Sequence, residues 1–213
     1  MTPPAGTRVG TVALLRRFPL KSAGGEEPQA VQVREDGVVG DRWWVLEDAA
    51  GAPLRTRDHP RLAELEASID DAGDLSAVVD GERLTGAALA PALVRRLRTE
   101  GLVLRRGDGP GGQRPPQAPV HVISEHAERD PAAPTDCDLG HRANVVLRLD
   151  ADPPGAERTW VGARLRVGGA ELVLTRTPRR CLGVYADVAA PGRLAVGDEV
   201  LLLDRPGPPA AAG

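Results

Sequence analysis

The feature that most constrains the fold of this chain is a series of short apolar runs, each bounded by Gly, Pro or Asp. The runs are rich in Val and Leu, which favour a pleated, half-buried surface, and their boundaries are typical turn residues. Many short strands with few helices favour a barrel or a sandwich over a doubly wound sheet. The predicted strands are Val9–Leu15, Ala30–Val33, Arg42–Glu47, Leu75–Val79, Leu102–Arg105, Val120–Ser124, Asn144–Leu149, Leu165–Val167, Glu171–Thr175 and Glu199–Leu203.

Two tight turns and one helix complete the predicted secondary structure. Gly168-Gly169 and Asp80-Gly81 each separate two alternating runs, which predicts two β-hairpins. Leucines recur at helical spacing between Ala87 and Thr99, and Gly101 follows as a stop signal. Arg61–Ser68 is compatible with either a helix or a strand. The sequence therefore predicts a mainly β (α+β) fold with one or two helices.

The composition allows a folded core and excludes several classes of function. Of the 213 residues, 41% are hydrophobic and 2% aromatic, so the core must consist of Val, Leu and Ala. A net charge of −3 without a long run of one sign argues against a general nucleic-acid surface. No apolar stretch is long enough to span a bilayer, and Met1–Gly10 lacks the apolar region of a signal peptide. We therefore expect a cytoplasmic protein that binds neither nucleic acid nor membrane.

The two cysteines of the chain differ in their surroundings. Two cysteines do not make a disulfide framework, so we expect reduced thiols. The acidic neighbours of Cys137 disfavour its thiolate, whereas Arg179 and Arg180 favour the thiolate of Cys181. Because a thiolate is both a nucleophile and a soft metal ligand, we expect the chemistry to centre on Cys181.

Four segments place basic and polar side chains next to predicted strands. Each alone has a plainer explanation, such as a surface ion pair, a turn cap or a core residue. Together they combine arginine, lysine and serine side chains, which bind phosphate, with a thiolate, which binds a soft metal. That combination suits a ligand with a phosphate at one end and a metal at the other. The segments are Arg17–Ser22, Gly40–Trp44, His141–Asn144 and Thr177–Cys181.

These segments belong to an ordered set of motifs that runs from Val9 to Leu203. The set comprises Phe18-Pro19-Leu20-Lys21-Ser22, Asp41-Arg42-Trp43-Trp44, Thr56-Arg57, Arg142-Ala143-Asn144, Trp160, Arg180-Cys181 and Gly197-Asp198-Glu199-Val200. In this order they resemble the MOSC family, named for the C-terminal domain of molybdenum cofactor sulfurases. The nearest resemblance is to the amidoxime-reducing proteins, which carry an added N-terminal β-rich region.

The resemblance implies a fold, a division of the chain and a cofactor. The fold is a MOSC-type β-barrel with an N-terminal β-rich region at 7–106, a MOSC core at 117–204 and a flexible tail at 205–213. The first two regions would form one compact unit. The cofactor is a molybdenum–molybdopterin group, with Cys181 as the metal ligand. Six further residues would contact the cofactor: Lys21, Ser22, Arg42, Ser124, Arg142 and Asn144.

The resemblance also implies a reaction but leaves alternatives open. An oxidoreductase would reduce N-oxygenated or similar small molecules. Its electrons would come from a separate ferredoxin- or flavin-type protein, because two cysteines cannot hold an iron–sulfur cluster with four thiolates. The alternative is a cofactor carrier or sulfur-transfer protein that uses a persulfide on Cys181. A cysteine hydrolase with His141 or His126 as its base has no supporting spacing. The stretch after Cys181 lacks the turn found in the reductases, which leaves the substrate open.

Overall fold

The structure, a computed structural model, describes residues 6–107, 118–129, 142–150, 156–179 and 181–204. The strands in these ranges are β1 (Thr7–Leu15), β2 (Ala30–Arg34), β3 (Gly37–Val38), β4 (Trp44–Glu47), β5 (Glu66–Ile69), β6 (Leu75–Val79), β7 (Glu82–Thr85), β8 (Val103–Arg106), β9 (Val120–Ser124), β10 (Val145–Leu149), β11 (Arg164–Val167), β12 (Ala170–Arg176), β13 (Val184–Ala190), β14 (Gly192–Ala195) and β15 (Glu199–Asp204). The helices are α1 (Leu89–Leu97) and α2 (Glu125–Arg129), with short 3-10 helices at Pro60–Glu64, Gly86–Ala88 and Ala156–Trp160. None of the helices in the described ranges has the length and apolar character needed to cross a membrane.

Seven strands form a closed barrel in the order β1-β10-β9-β13-β12-β11-β15. The pairs are antiparallel except β9 and β10, which run parallel. Buried Val, Leu and Ala side chains fill the interior, as the low aromatic content requires. β1 completes the barrel because it pairs with both β10 and β15. At Gly10 it approaches β10 so closely that a Cβ atom would lie 2.1 Å from the carbonyl oxygen of Arg148. The predicted mainly β barrel fold is thus confirmed.

A second group of strands, drawn from the N-terminal half, surrounds a separate core. β5, β6 and β7 form one sheet and β4 with β8 forms another. The segment 20–24, which precedes these strands in sequence, lies between the two sheets. Leu20 pairs with Trp44 of β4, and Gly24 pairs with Glu66 of β5. α1 buries Leu89, Ala92, Leu93 and Leu97 in this second core.

The two predicted hairpins and the predicted helix are confirmed. Asp80 and Gly81 both have positive φ, at 52° and 85°, which defines the type I′ turn expected of Asp-Gly. Gly168-Gly169 likewise joins the antiparallel strands β11 and β12. The helix is shorter than predicted, because 86–88 form a 3-10 turn before α1. Arg61–Ser68 divides into the end of a 3-10 helix and most of β5, while β3, β13 and β14 were not predicted.

The boundary between the two predicted regions is crossed by strand pairing. β1, from the first region, pairs with β10 and β15 of the second, and β2 pairs with β14. The division at 7–106 and 117–204 stays a prediction, and the predicted tail at 205–213 lies outside the described residues. The strand exchange nevertheless places the motifs of the N-terminal half next to β9, β10 and β13.

Candidate functional site

The first two motif segments lie side by side. The backbone N–H of Arg42 donates to the carbonyl of Phe18 at 2.8 Å, and the N–H of Lys21 donates to the carbonyl of Trp44 at 2.9 Å. The buried Asp41 carboxylate accepts the N–H of Phe18 at 2.8 Å. The segments Arg17–Ser22 and Gly40–Trp44 are therefore hydrogen-bonded to each other, as a shared ligand site would require.

Two residues of these segments have a strained backbone. Ser22 and Arg42 have φ values of 66° and 56°, in a region that costs a residue other than glycine of the order of 1 kcal/mol or more. Among the described residues, the same conformation occurs at Asp80, in the type I′ turn, and at Arg98, which ends α1. Local chain geometry explains those two. Ser22 and Arg42 coincide with two predicted cofactor contacts, and strain of this kind concentrates at functional sites.

Arg142 brings the third segment to the same place. Its guanidinium carbon lies 4.3 Å from the centre of the Phe18 ring, within range of a cation–π interaction. Its Nη2 atom is buried and has no hydrogen-bond partner in the described structure. The pKa of Arg142 is lowered to about 10, mainly by burial and also by the charge of Arg42, while the charge of Asp41 acts in the opposite direction. Arg142 is therefore a cation at neutral pH with a buried donor that no group in the described ranges satisfies.

Tyr185 of β13 adds a phenol to this group. Burial raises its pKa, while the charges of Arg42 and Arg176 act in the opposite direction. The guanidinium carbon of Arg176 lies 5.4 Å from the centre of the Tyr185 ring. The ring therefore keeps its proton at neutral pH in a cationic environment. Sequence reasoning missed Tyr185 because its position opposite β12 and β9 depends on strand pairing.

His121 of β9 fixes the segment that follows Cys181. This buried ring packs edge-to-face on Tyr185, with 5.0 Å between centroids. Its Nε2 lies 2.8 Å from the carbonyl oxygen of Leu182, so Nε2 carries the hydrogen and donates it. Gly183 follows with φ of +78°, and a Cβ atom there would lie 2.3 Å from the carbonyl oxygen of Val122. The chain after Cys181 is thus held tightly against β9.

Cys181 itself is partly buried and disulfide-bonded in the structure. The prediction of a reduced thiol is therefore wrong for this residue. The other cysteine of the chain, Cys137, lies outside the described residues. A disulfide sulfur cannot bind a metal as a thiolate, so the predicted metal ligation requires reduction of this bond.

Asn144 and Ser124 occupy structural positions. The Asn144 amide accepts the backbone N–H of His121 at 3.1 Å and donates to the carbonyl of Arg16 at 3.4 Å. The Ser124 hydroxyl accepts the N–H of Ala127 at 3.2 Å, as a cap of α2. Both side chains are buried and hold neighbouring elements together. Their assignment as cofactor contacts stays a prediction.

Of the two histidines considered for a hydrolase, only His126 lies in the described part of the chain. His126 is exposed on α2, and His141 lies outside the described residues. Within the part of the chain that the structure describes, no three His, Cys, Asp or Glu side chains form a metal-binding cluster.

Comparison with known protein families gives a match in the N-terminal half of the chain. A family model described as "MOSC N-terminal beta barrel domain" matches residues 9–104. Residues 9–104 are thus similar to the N-terminal domain of MOSC proteins. The resemblance read from the motifs is thereby confirmed for this part of the chain. At the level of the family, MOSC domains are associated with the molybdenum cofactor.

A solved structure and the curated proteins give a weaker comparison. The YuaD protein from Bacillus subtilis is similar to this chain with 13% sequence identity and a TM-score of 0.43. The similarity covers 92% of this chain and 97% of YuaD. No curated protein matches the chain by sequence.

Proposed function

We propose that this chain is a MOSC protein that binds a molybdenum cofactor, with Cys181 as the metal ligand and a basic group of side chains at the anionic end. The single observation that carries the proposal is the buried, unpartnered Nη2 of Arg142 beside the charge of Arg42. A buried donor without a partner costs of the order of 1–3 kcal/mol, and a bound anion removes that cost. Lys21 and Ser22 complete the set on the neighbouring turn.

The residues present fit an anionic cofactor. Guanidinium and ammonium groups are the usual partners of phosphate, and a hydroxyl can complete the contact. The buried carboxylate beside Arg42 and Arg142 is that of Asp41, 3.3 Å from Arg42 Nε, so the two cations are not fully neutralised. A reduced Cys181 would offer the soft sulfur ligand that such a metal prefers.

We further propose that the protein is an oxidoreductase for N-oxygenated or similar small molecules. The bound cofactor would supply the redox chemistry, and a separate ferredoxin- or flavin-type protein would supply the electrons. Reduction of an N–O bond consumes protons, and the phenol of Tyr185 holds one at neutral pH because burial raises its pKa. The contribution of the chain is to hold the anion, to keep Cys181 in place through His121, and to store this proton.

The test is the metal content of the full chain, produced in a host that makes the cofactor and purified under reducing conditions. We expect molybdenum in an equimolar amount, loss of the metal in Cys181→Ser, and reduced retention of cofactor in Arg142→Ala and Arg42→Ala. Arg95→Ala is the matched control, because Arg95 is exposed on α1. Absence of molybdenum from the reduced wild-type protein would contradict the proposal.

A second candidate function is sulfur transfer to the cofactor through a persulfide on Cys181. Like metal ligation, this reaction needs the free thiolate of Cys181 and therefore requires reduction of its disulfide. Mass spectrometry of the reduced protein after incubation with a sulfur donor distinguishes the two. A gain of one sulfur atom on Cys181 supports transfer, whereas a bare thiol in a protein that retains molybdenum supports the reductase.

A further inference from the structure

The N-terminal group of strands forms an incomplete barrel. Its strands follow the order β7-β6-β5, then the chain that includes Gly24 and Leu20, then β4-β8. Within the described residues β7 pairs only with β6, and β8 pairs only with β4. The two ends of this curved sheet are therefore open strand edges.

A cavity of about 750 Å³ is lined by residues from both open edges, which places it between them, and we call it the open seam. Its volume falls within the range of roughly 300–1,000 Å³ that is typical of binding sites. Arg83 and Thr85 of β7 and Val103 and Leu104 of β8 line it. The other lining residues are Trp44, Asp70, Asp74, Leu75, Ser76, Gly86, Ala90 and Leu102.

The strand register shows which main-chain groups of β7 face the seam. In a two-residue type I′ hairpin the residues that flank the turn, here Val79 and Glu82, form a hydrogen-bonded pair. Since the pattern alternates, Leu84 bonds to Ala77 of β6, while the N–H and C=O of Arg83 point away from β6. The main chain of Arg83 is therefore directed to the open side.

The same argument applies to β8. The N–H and C=O of Trp44 bond to the chain at 19–21, so the next residue, Val45, bonds across to Arg105 of β8. Leu104, one position earlier than Arg105, then directs its N–H and C=O away from β4. Both open edges thus present unpaired main-chain groups at residues that line the cavity.

We propose that the open seam binds an extended peptide of a partner protein, which adds a strand along β7 and β8. Main-chain bonds would supply affinity, and alternate side chains would supply specificity. The inward side chains would be apolar, because Leu75, Leu102 and Leu104 line the seam. An acidic residue would lie opposite Arg83, which has no carboxylate partner among the described residues. Val103, with 48% of its surface exposed, is the exposed large hydrophobic residue of the described structure and lies on β8.

A second copy of the chain is a poorer occupant. A strand of a second copy that is already paired on one side could bond to only one edge of the seam.

The experiment is the selection of random ten-residue peptides, displayed on phage, against the full chain. We expect enrichment of peptides with apolar residues at alternate positions and Asp or Glu between them. The best peptide is then synthesised, and its binding is measured by fluorescence anisotropy. Arg83→Glu should weaken binding about tenfold, the usual effect of one charge-assisted contact of ~1.4 kcal/mol, whereas Arg95→Glu, with the same charge change on exposed α1, should leave it unchanged. Methylation of alternate backbone nitrogens in the peptide should abolish binding.

Several results would overturn the proposal. These are no enrichment above an empty surface, binding that Arg83→Glu and Val103→Lys leave unchanged, and binding that survives backbone methylation. Sedimentation that shows a dimer, together with loss of the dimer in Val103→Lys, would assign the seam to a second copy instead. Circular dichroism of each variant confirms that it is folded before binding is compared.

Discussion

At the scale of single residues, Arg142 has the environment least suited to a protein without a ligand. Its guanidinium group packs on the face of the Phe18 ring and is repelled by the charge of Arg42. Its Nη2 atom is buried and has no hydrogen-bond partner among the described residues. The lowered pKa means that folding weakens proton binding. The cost of holding the charged form is therefore present at neutral pH, and it is relieved only as the pH rises through about 10. Arg142 thus lowers the free energy of unfolding of the protein without ligand, as expected if its proposed role is to bind an anion.

Arg142→Met should make the protein without ligand more stable, by about 1 kcal/mol, since it replaces a buried charge with an apolar side chain of similar length. Urea unfolding at pH 7 measures the change. Phosphate at several times its dissociation constant should add about 1 kcal/mol to the wild type and nothing to the variant. Arg95→Met is the control and should change neither quantity. A less stable variant that still responds to phosphate would show that Arg142 is structural.

Ser22→Gly should also stabilise the protein, because glycine adopts the observed φ of 66° without a steric cost. The free energy gained by relieving the strain exceeds the entropic cost of ordering the more flexible glycine by about 0.5 kcal/mol. Ser76→Gly, in the extended strand β6, should destabilise instead. Urea unfolding of the two variants gives the comparison, and equal losses in both would mean that Ser22 is not strained.

At the scale of elements, β9 links the parts of the site. It lies between β10 and β13, and its buried His121 contacts the chain on both sides. The backbone of His121 bonds to Asn144 in both directions, and its ring donates to Leu182. One strand thereby sets the position of the Arg142 segment relative to Cys181.

His121→Leu should loosen the segment after Cys181, because the Leu182 carbonyl loses its donor, at a cost of about 1 kcal/mol or more. His121→Gln keeps an N–H donor near the position of Nε2 and should restore part of the effect. The rate of alkylation of Cys181 in the reduced protein measures the change and should rise several-fold in the leucine variant. His126→Leu, on the exposed face of α2, should leave the rate unchanged; an equal increase there would exclude a specific role for His121.

The sequence predicted those elements whose signals are local. Val120–Ser124 was predicted with the correct bounds because it is a compact apolar run. The Asp80-Gly81 turn was predicted because few residue pairs tolerate a positive φ at both turn positions. Val184–Ala190 was missed because its alanines and aspartate have weak strand propensity, and it becomes β13 only by pairing with β12 and β9. The contact of Arg142 with Phe18 joins positions far apart in sequence, so composition and spacing alone do not predict it.

At the scale of the whole molecule, β1 and the residues directly after it connect the two hydrophobic cores. β1 closes the seven-stranded barrel, and the residues that follow it directly form the bridge between the two N-terminal sheets. The site lies at this junction, because Phe18 and Lys21 leave the barrel strand while Arg142 precedes β10. Damage to the closure of the barrel should therefore damage the site as well.

Gly10→Ala tests this dependence. The added Cβ would lie 2.1 Å from a backbone oxygen of β10, so β1 must shift, and we expect a loss of about 3 kcal/mol. The measurement is the midpoint of thermal unfolding, with phosphate binding as the second readout. Gly51→Ala also has positive φ but has nothing within 4 Å of the added atom, so it should lose only about 1 kcal/mol. Equal losses in the two variants would show that the approach of β1 to β10 is not limiting.

The pairing of β1 with β15 has a consequence for synthesis of the chain. Thr7 lies opposite Leu202, so β1 finds one of its two partners only after the other strands of the barrel have been made. Contacts between such distant positions slow folding, and an unpaired apolar strand is prone to aggregate while it waits. The barrel therefore closes only after β15 has been made, and the N-terminal group of strands can form first, while β1 still lacks this partner.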